Sequence, residues 1–494
     1  MRIGAVVVLG TIMAILDTTI VAVALPTLAR DFHTTINTIQ WVTTGYLLAL
    51  AIVIPLSGWG VHRFGAKPVY MTSLVLFIGG SILCGLAWSA SSLIAFRVLQ
   101  GFGGGLIMPV GQAIMARSAG PEKMNKVMAL IGVPTLLGPI LGPVIGGIIV
   151  TNFSWRWIFF VNVPIGIVAL ILAMKFLPST GRDKDHKLDI LGFSFLAPGL
   201  ALVVYGLSEV GNEGGFASRS VQGTLLLGVV LIVAFILRSL RAVEPLVDLR
   251  LFKRWNFSIA TICIFLTGAT LYGTMFLLPL YYQIVRGESP WMAGLLMAPQ
   301  GIGAALVMRP AAKLSDRYGT RRTVPIGMAL LAIGTLAYTQ VSGTTSYTFL
   351  AIALFIRGIG LGFGMMPVFA ASYRGLSHAE IPRATTATNI IRQVGGSIGV
   401  AIFAVVLQQS ITKQFPGHDT SLSTLSTGHL ETTVIDRLAN AFATSFWWSF
   451  GVCALAIVPA LLLPGKLPSE PGMMDELEDA ELANLDDVAV VIPE

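Results

Sequence analysis

The chain has 494 residues, of which 54% are hydrophobic and only 12% are charged. A soluble domain usually carries about 25% charged residues, so this composition excludes an ordinary cytosolic enzyme, a disordered protein and a nucleic-acid-binding protein. The surplus of apolar residues must face lipid. The net charge of +7 is unevenly distributed, because residues 465–494 hold nine acidic residues and one lysine. The basic excess of the remaining chain is therefore expected at one membrane face.

Apolar stretches recur along the whole chain. A transmembrane helix needs about 20 mostly apolar residues, and fourteen stretches meet this requirement. We therefore predict an all-α integral membrane protein with fourteen transmembrane helices. The predicted spans lie near residues 4–26, 38–58, 69–89, 92–116, 127–151, 156–177, 188–208, 221–240, 257–283, 290–310, 324–341, 346–372, 386–409 and 441–464.

Loop charge orients these spans, because Lys and Arg concentrate in cytoplasmic loops. With the N-terminus in the cytoplasm, the inner loops carry 21 Lys and Arg residues and the outer loops carry six. This pattern predicts that both termini are cytoplasmic, as an even number of spans requires. Residues 465–494 then form an acidic cytoplasmic tail, either solvated or in regulatory contact with the basic inner loops.

Two loop segments repeat one pattern, with starting points 254 positions apart. The first runs from Gly58 to Lys67 and the second from Ala312 to Arg322, and each follows the second span of a six-helix set. Two parallel halves around a central cavity are a transporter architecture. We predict a six-helix bundle over 1–177, a two-helix insert with cytoplasmic linkers over 178–256, a second six-helix bundle over 257–464, and the acidic tail over 465–494.

Further motifs stand in chain order on the predicted helices. They are Leu16-Asp17-Thr18-Thr19, Arg97-x-x-Gln100-Gly101, Gly138-Pro139-x-x-Gly142-Pro143-x-x-Gly146-Gly147, and Asn389-x-x-Arg392-Gln393. With these motifs and the repeated loop, the chain resembles the major facilitator superfamily, especially its branch of fourteen-helix drug:proton antiporters. The resemblance implies the major facilitator fold with 6 + 2 + 6 helices, and proton-driven export of drugs such as quaternary ammonium compounds.

Asp17 is the only acidic residue near the middle of a predicted span. A buried carboxylate is costly when charged, so a membrane environment favours its protonated form. Such a group can carry a proton between the two faces of a membrane. We predict proton coupling by Asp17. Contact with a cationic substrate and a structural pairing with an arginine or hydroxyl are the alternatives.

Arg97 lies in the fourth predicted span, where an arginine should face a cavity or pair with a carboxylate. Since Asp17 is the only mid-membrane acid available, we predict that Arg97 interacts with it and takes part in proton coupling. The family resemblance likewise implies a role in proton transfer. The structural alternative is hydrogen bonding of Arg97 to backbone. Arg357 and Arg392 also lie in spans, where both can extend towards a helix end.

The repeated loops place several cations beside a glycine turn on the predicted cytoplasmic side. An aspartate there can accept hydrogen bonds from arginine or from a helix N-terminus. Such contacts would break as the halves rock, so we predict a conformational latch, with positive-inside orientation as the alternative. In the first loop a histidine replaces the aspartate usual in the family. The latch residues are His62, Arg63, Gly65 and Lys67, and Asp316, Arg317, Gly319, Arg321 and Arg322.

The fifth predicted span combines glycines, which allow close helix approach, with prolines, which remove helix hydrogen bonds. A kinked, tightly packed helix should result. It either gates transport, as the family resemblance implies for an antiporter motif, or only packs. The motif residues are Gly138, Pro139, Gly142, Pro143, Gly146 and Gly147.

Aromatic and amide side chains mark a candidate substrate pocket. An apolar cavity with few polar groups suits bulky amphipathic compounds, and aromatic faces attract organic cations. Packing or anchoring at the membrane interface is the alternative role for these aromatics. The candidates are Trp41, Tyr46, Gln112, Asn162, Tyr272, Phe276, Asn389 and Gln393.

The sequence contains no phosphate-binding loop and no zinc-protease pattern, which disfavours an ATP-driven pump and an enzyme. We predict a proton-coupled efflux antiporter of the plasma (inner) membrane that exports amphipathic compounds, cations included. The proton gradient supplies the energy, so no cofactor or metal is expected. The expected partners are the substrate, protons and membrane lipids but not nucleic acid, and we expect a monomer. Export of an endogenous lipid, siderophore or secondary metabolite is the main alternative, ahead of a uniporter, a sensor or a membrane enzyme.

Overall fold

The computed structural model describes residues 2–119, 138, 141–178, 188–210, 217–242, 245–376, 380–415 and 432–464. In these ranges the chain forms helices and no β-strand. The helices are α1 (Arg2–Asp31), α2 (Ile36–Ile39), α3 (Trp41–Val53), α4 (Leu56–Phe64), α5 (Ala66–Gly85), α6 (Ala90–Ala119), α7 (Leu141–Asn152), α8 (Trp157–Phe160), α9 (Asn162–Phe176), α10 (Ile190–Glu209), α11 (Arg219–Arg241), α12 (Trp255–Leu280), α13 (Pro290–Tyr318), α14 (Thr320–Leu336), α15 (Tyr347–Tyr373), α16 (Ile381–Gln414) and α17 (Thr432–Leu461).

Twelve of the described helices are long and apolar enough to cross a membrane. The pair Asn37–Val53 and Leu56–Phe64, bent by 50°, makes a thirteenth if it is one span. Pro55 stands at this bend, where its missing N–H removes a helix hydrogen bond. The prediction of an all-helical membrane protein is therefore confirmed.

The predicted fifth span is only partly described. It overlaps the shorter helix α7, while residues 120–137, 139 and 140 lie outside the described ranges. Every other predicted span overlaps one of the twelve long helices or the bent pair. The count of fourteen spans, the domain boundaries and the cytoplasmic termini stay predictions. The acidic tail over 465–494 also lies outside the described residues.

Two groups of helices pack around a shared central interface. In the first group, α6 packs against α3 and α5, and α1 packs against α6 and α9. In the second, α15 packs against α13 and α14, and α12 packs against α16 and α17. The groups meet where α3 packs against α16 and where α1 packs against α12 and α13. Corresponding helices of the repeat therefore occupy corresponding places.

The insert lies beside this interface. Helix α10 packs against α11 and also against α3 and α16, so it contacts both groups. The Gln40 side-chain amide donates to the Ser208 hydroxyl at 3.1 Å, which ties α10 to the start of α3. On α11, Leu226 is 66% exposed and Val230 is 53% exposed. Such an apolar surface is stable in lipid rather than in water.

Direct contacts close the interface at one end of the bundle. The Gln283 amide donates to the Val23 carbonyl oxygen at 2.8 Å, and the Trp291 N–H donates to the Thr151 hydroxyl at 2.9 Å. Both bonds join the two groups near the end of the bundle that lies farthest from the N-terminus of α1. We call this the closed end. The Ser397 hydroxyl also contacts the Thr44 carbonyl across the interface, at 3.4 Å.

Candidate substrate cavity and its buried polar network

Asp17 and Arg97 form an ion pair inside the first group of helices. The Arg97 Nη1 donates to Asp17 Oδ2 at 2.6 Å, and the two side chains are 1% and 0% exposed. Helix α1 carries the carboxylate and α6 carries the guanidinium, which the packing of these helices brings together. Since breaking a buried pair leaves an uncompensated charge, this contact fixes α1 relative to α6 strongly.

Three neutral side chains complete the network around Asp17. Gln100 donates to Asp17 Oδ1 at 2.9 Å, and Asn162 donates to the same oxygen at 2.8 Å. Gln100 also donates to the Ser81 hydroxyl at 2.6 Å. Three helices, α1, α6 and α9, therefore meet at one carboxylate, and Ser81 joins α5 to them through Gln100. Any change in the charge of Asp17 alters contacts that position all four.

Gln100 and Ser81 belong to the network around Asp17, and we did not single them out as its partners from the sequence. Gln100 lies three residues after Arg97, a spacing that puts both side chains on the same helix face. That spacing could have identified Gln100 as a partner in the network of Arg97. Ser81 gives no such signal, because serines in apolar helices often bond only to their own backbone.

Tyr46 separates this network from a cavity between the two groups of helices. The Arg97 guanidinium carbon lies 3.9 Å from the centre of the Tyr46 ring. Tyr46 also lines the cavity, whereas Asp17, Arg97 and Asn162 do not. The Tyr46 hydroxyl is buried and has no hydrogen-bond partner. The predicted coupling pair therefore lies one side chain behind the cavity wall, so Asp17 does not touch a substrate in this conformation.

Seven helices line the cavity: α1, α3 and α6 from the first group, and α12, α13, α15 and α16 from the second. The lining is mainly apolar and includes four methionines, which are flexible and adapt to differently shaped ligands. The polar lining includes Thr18, Gln300 and Arg392. The methionines are Met108, Met275, Met308 and Met365.

Four of the eight predicted pocket residues line this cavity: Tyr46, Tyr272, Asn389 and Gln393. The structure places the other four elsewhere. Asn162 belongs to the Asp17 network, and Trp41 packs against Tyr205 of the insert with ring centres 6.2 Å apart. Phe276 is 1% exposed in the hydrophobic core, and Gln112 lies outside the lining.

The glycines of the fifth-span motif lie against α1. A Cβ at Gly138, Gly142 or Gly146 would come within 3.0 Å of Ile15, Thr19 or Ile20, respectively. The Thr19 hydroxyl donates to the Gly138 carbonyl at 3.0 Å. Only glycine permits this approach, so α7 lies directly against the helix that carries Asp17. Pro139 lies outside the described residues.

The same motif also reaches the second group of helices at the closed end. A Cβ at Gly147 would lie within 3.0 Å of the Pro290 carbonyl oxygen on α13. A Cβ at Gly294 of α13 would likewise lie within 3.0 Å of the carbonyl oxygen of Pro143. Helix α7 therefore connects α1 to the interface between the groups.

The two repeated loops share one backbone conformation. Gly65 ends α4 with φ 90° and ψ 152°, and Gly319 ends α13 with φ 84° and ψ 157°. Positive φ values of this kind favour glycine, which explains its place in both copies. The two turns put their cations at the same end of the bundle.

The side chains of the predicted latch make mostly local contacts where they are described. Lys67 donates to the Met174 carbonyl at 2.7 Å, within the first group of helices. The Arg317 guanidinium carbon lies 5.3 Å from the Tyr318 ring centre. Arg63 is partly buried, whereas His62, Arg321 and Arg322 are exposed. The structure does not describe the side chain of Asp316, so the latch stays a prediction.

The second group of helices holds a polar cluster in the corresponding place. Arg357 is 0% exposed and donates to Gln300, to Thr274 Oγ1 at 2.7 Å and to Thr335 Oγ1 at 3.2 Å. Thr274 also shares a hydrogen bond with Ser449 at 3.2 Å. Among the described residues, Arg357 has no carboxylate within ion-pair distance. In the second group the buried arginine therefore has neutral hydroxyl and amide partners where Arg97 has an acid.

Comparison with known proteins agrees with this architecture. The sequence profile of the Major Facilitator Superfamily matches residues 7–400. The chain is 40% identical over 410 residues to a multidrug resistance protein B homolog from Mycobacterium tuberculosis, covering 82% of this chain and 76% of that relative. It is 32% identical over 397 residues to the multidrug export protein EmrB of Escherichia coli, covering 80% and 77%.

Solved structures resemble the fold at low sequence identity. A bacterial homolog of the human lysosomal transporter Spinster, in an inward-facing and unoccupied conformation, matches with a TM-score of 0.65 at 15% identity. The match covers 93% of this chain and 96% of that one. A D-xylose–proton symporter matches with the same score, identity and coverage.

Proposed function

Because the chain belongs to the major facilitator superfamily, we propose that it is a proton-coupled antiporter that exports amphipathic compounds. The family consists of transporters rather than enzymes, and the chain is a multi-pass inner membrane protein. The relatives named for multidrug resistance and export support drugs or other toxic compounds as substrates. The proton gradient supplies the energy, so the cycle needs no cofactor.

One observation carries the proposal of proton coupling. The Asp17 carboxylate is fully buried, lies one side chain behind the cavity wall, and joins three helices, α1, α6 and α9, through its hydrogen bonds. Protonation would remove the charge that holds Arg97 at 2.6 Å. Since ion pairs in a low-dielectric interior are strong, these helices would then repack. Protonation of Asp17 can thereby change the shape of the cavity, although Asp17 does not line it.

The proposed topology has fourteen spans with both termini in the cytoplasm. The closed end then faces the outside, and the cavity belongs to an inward-facing conformation. The contacts of Gln283 with Val23 and of Trp291 with Thr151 support this assignment, because they join the halves at the closed end. Export requires this end to open.

In the proposed cycle, the inward-facing cavity takes up an amphipathic compound from the cytoplasm or the inner leaflet. A proton that reaches Asp17 from the outside weakens the contact of Asp17 with Arg97 and lets α1 move against α7. Since α7 contacts α13 at the closed end, the movement separates the halves there and releases the compound outside. Loss of the proton to the cytoplasm restores the ion pair and resets the carrier. Coupling through helix movement fits the absence of Asp17 from the cavity lining.

The test is transport by purified protein in liposomes with an imposed pH gradient. Two fluorescent amphipaths of opposite charge, ethidium and 8-anilinonaphthalene-1-sulfonate, serve as substrates for the native chain and for Asp17→Asn. The exposed Asp436 provides a matched control, Asp436→Asn. We expect gradient-driven movement of at least one probe by the native chain and the control, and none by Asp17→Asn. Undiminished gradient-driven movement by Asp17→Asn would refute coupling through Asp17.

A further inference from the structure

The described cavity wall carries a positive charge and no negative charge. Arg392 lines the cavity, while the described lining includes no aspartate and no glutamate. Asp17 lies behind Tyr46 and is already neutralised by Arg97 at 2.6 Å. A cationic head group in this cavity would therefore meet a cation without a compensating acid. An anionic head group would meet the opposite charge.

Arg392 is poorly satisfied by the protein itself. Its Nη2 donates to Asn389 Oδ1 at a long 3.4 Å, and its buried Nε has no hydrogen-bond partner. In the described residues no carboxylate lies within ion-pair distance of it. A guanidinium in a membrane interior is costly unless an opposite charge, water or several acceptors meet it. The cavity gives a ligand access to Arg392 and lets it supply that charge.

Two further polar groups that line the cavity, one from each group of helices, lack partners. The buried Gln393 Oε1 and the buried Tyr46 hydroxyl have none, and both residues line the cavity. A phenolic hydroxyl can donate to an anion. Unpaired buried polar atoms represent binding free energy that a suitable ligand recovers.

A second fixed cation lies directly behind the wall. Arg357 donates to Gln300, and Gln300 lines the cavity. The other described hydrogen-bond partners of Arg357 are a backbone carbonyl and threonine hydroxyls, which are all neutral. The second group of helices therefore places one positive charge in the cavity wall and one behind it, and the remaining lining is mainly apolar and rich in methionine.

We propose that the cavity selects amphipathic compounds with an anionic head group, such as a carboxylate, and that Arg392 holds this head group. The apolar body of the compound lies among the methionines. The inference rests on the proposed function, because it takes the cavity to be the transport site. Protonation of Asp17 leaves Arg97 uncompensated and makes the surroundings of the cavity more positive. Charge repulsion between the proton and an anionic compound therefore cannot drive their exchange. Exchange then depends on helix movement.

A binding experiment with matched probes tests this assignment. The protein is placed in zwitterionic lipid nanodiscs at pH 7.5, and binding is followed by dansyl fluorescence with empty nanodiscs subtracted. The probes are 11-(dansylamino)undecanoate, its methyl ester, and the analogue that ends in trimethylammonium. The variants are Arg392→Gln, Arg392→Lys, and Lys413→Gln, a control at an exposed cation on the same helix.

We expect the native chain to bind the carboxylate at least about tenfold more tightly than the trimethylammonium probe, a difference of about 1.4 kcal/mol. Arg392→Gln should abolish this preference while it still binds the ester, Arg392→Lys should keep part of it, and Lys413→Gln should keep all of it. Equal binding of both charged probes, or tighter binding of the cation, would overturn the assignment. So would an undiminished preference in Arg392→Gln, or loss of ester binding by that variant.

Failure of this inference differs from failure of the proposed function. If the native chain binds none of the three probes, the cavity is not an amphipath site and both proposals fall. If it binds the ester and the cation but not the carboxylate, export of amphipaths stands and only the assignment of Arg392 is refuted. Melting curves of all four proteins establish that they are folded.

Discussion

Replacement of Gly294 by alanine is expected to separate the halves at the closed end. A Cβ at this position would lie within 3.0 Å of both the carbonyl oxygen and the carbonyl carbon of Pro143. Both atoms belong to backbone, so no change of rotamer relieves the clash. Helices α7 and α13 must therefore move apart wherever they touch.

The structure allows the size of this effect to be worked out. Overpacking a close contact costs about 1–3 kcal/mol. In an alternating-access carrier the clash arises only in the conformation where α7 and α13 are in contact. The ratio of closed to open molecules at this end should therefore fall by about 5- to 150-fold, the population change that such an energy produces.

Distances between two spin labels measure this ratio. Asn152 and Thr344 are exposed at the closed end, one on each half, and each is changed to cysteine for labelling. The three native cysteines are buried and need not be removed. Double electron–electron resonance should show mainly a short distance in the Gly294 parent and a much larger long-distance population in Gly294→Ala.

Gly303 of the same helix supplies the control. A Cβ there would lie within 3.0 Å of the Phe355 carbonyl oxygen, which belongs to α15 in the same half. Gly303→Ala should lower the melting temperature without changing the distance distribution. If Gly294→Ala leaves the distribution unchanged, or if Gly303→Ala shifts it equally, the assignment of α7 and α13 as a gating contact is wrong.

Three further substitutions test other parts of the structure. Gly103→Ala places a Cβ within 3.0 Å of the Phe77 backbone nitrogen and should destabilise the fold by about 1–3 kcal/mol, measured as a lower melting temperature in detergent. Thr274→Asp supplies the carboxylate that Arg357 lacks among its described partners and should raise the melting temperature, whereas a decrease would show that the arginine is already compensated. Tyr46→Phe removes a hydroxyl without a partner, so stability should hold while binding of the carboxylate probe weakens several-fold. A lower melting temperature with unchanged probe binding would contradict that role.

Much of the architecture could be predicted from local sequence. A membrane span needs only enough consecutive apolar residues, so the positions of the long helices follow from composition along the chain. The pairing of Asp17 with Arg97 could also be anticipated, because a mid-membrane charge requires a partner and only one acid was available. The glycines of the two loop motifs could likewise be expected at turns, and Gly65 and Gly319 show positive φ.

The tertiary structure alone decided which faces of these helices meet. The spans are apolar on nearly every side, so periodicity does not distinguish a face that packs from one that lines a cavity. For this reason Asn162, predicted in the pocket, lies in the Asp17 network, and Phe276 lies in the core. Arg392 gave no signal of lining the cavity, because an arginine near a helix end can equally extend towards water. Its place in a wall without a described acid depends on seven helices from both halves, and no single segment of sequence contains that information.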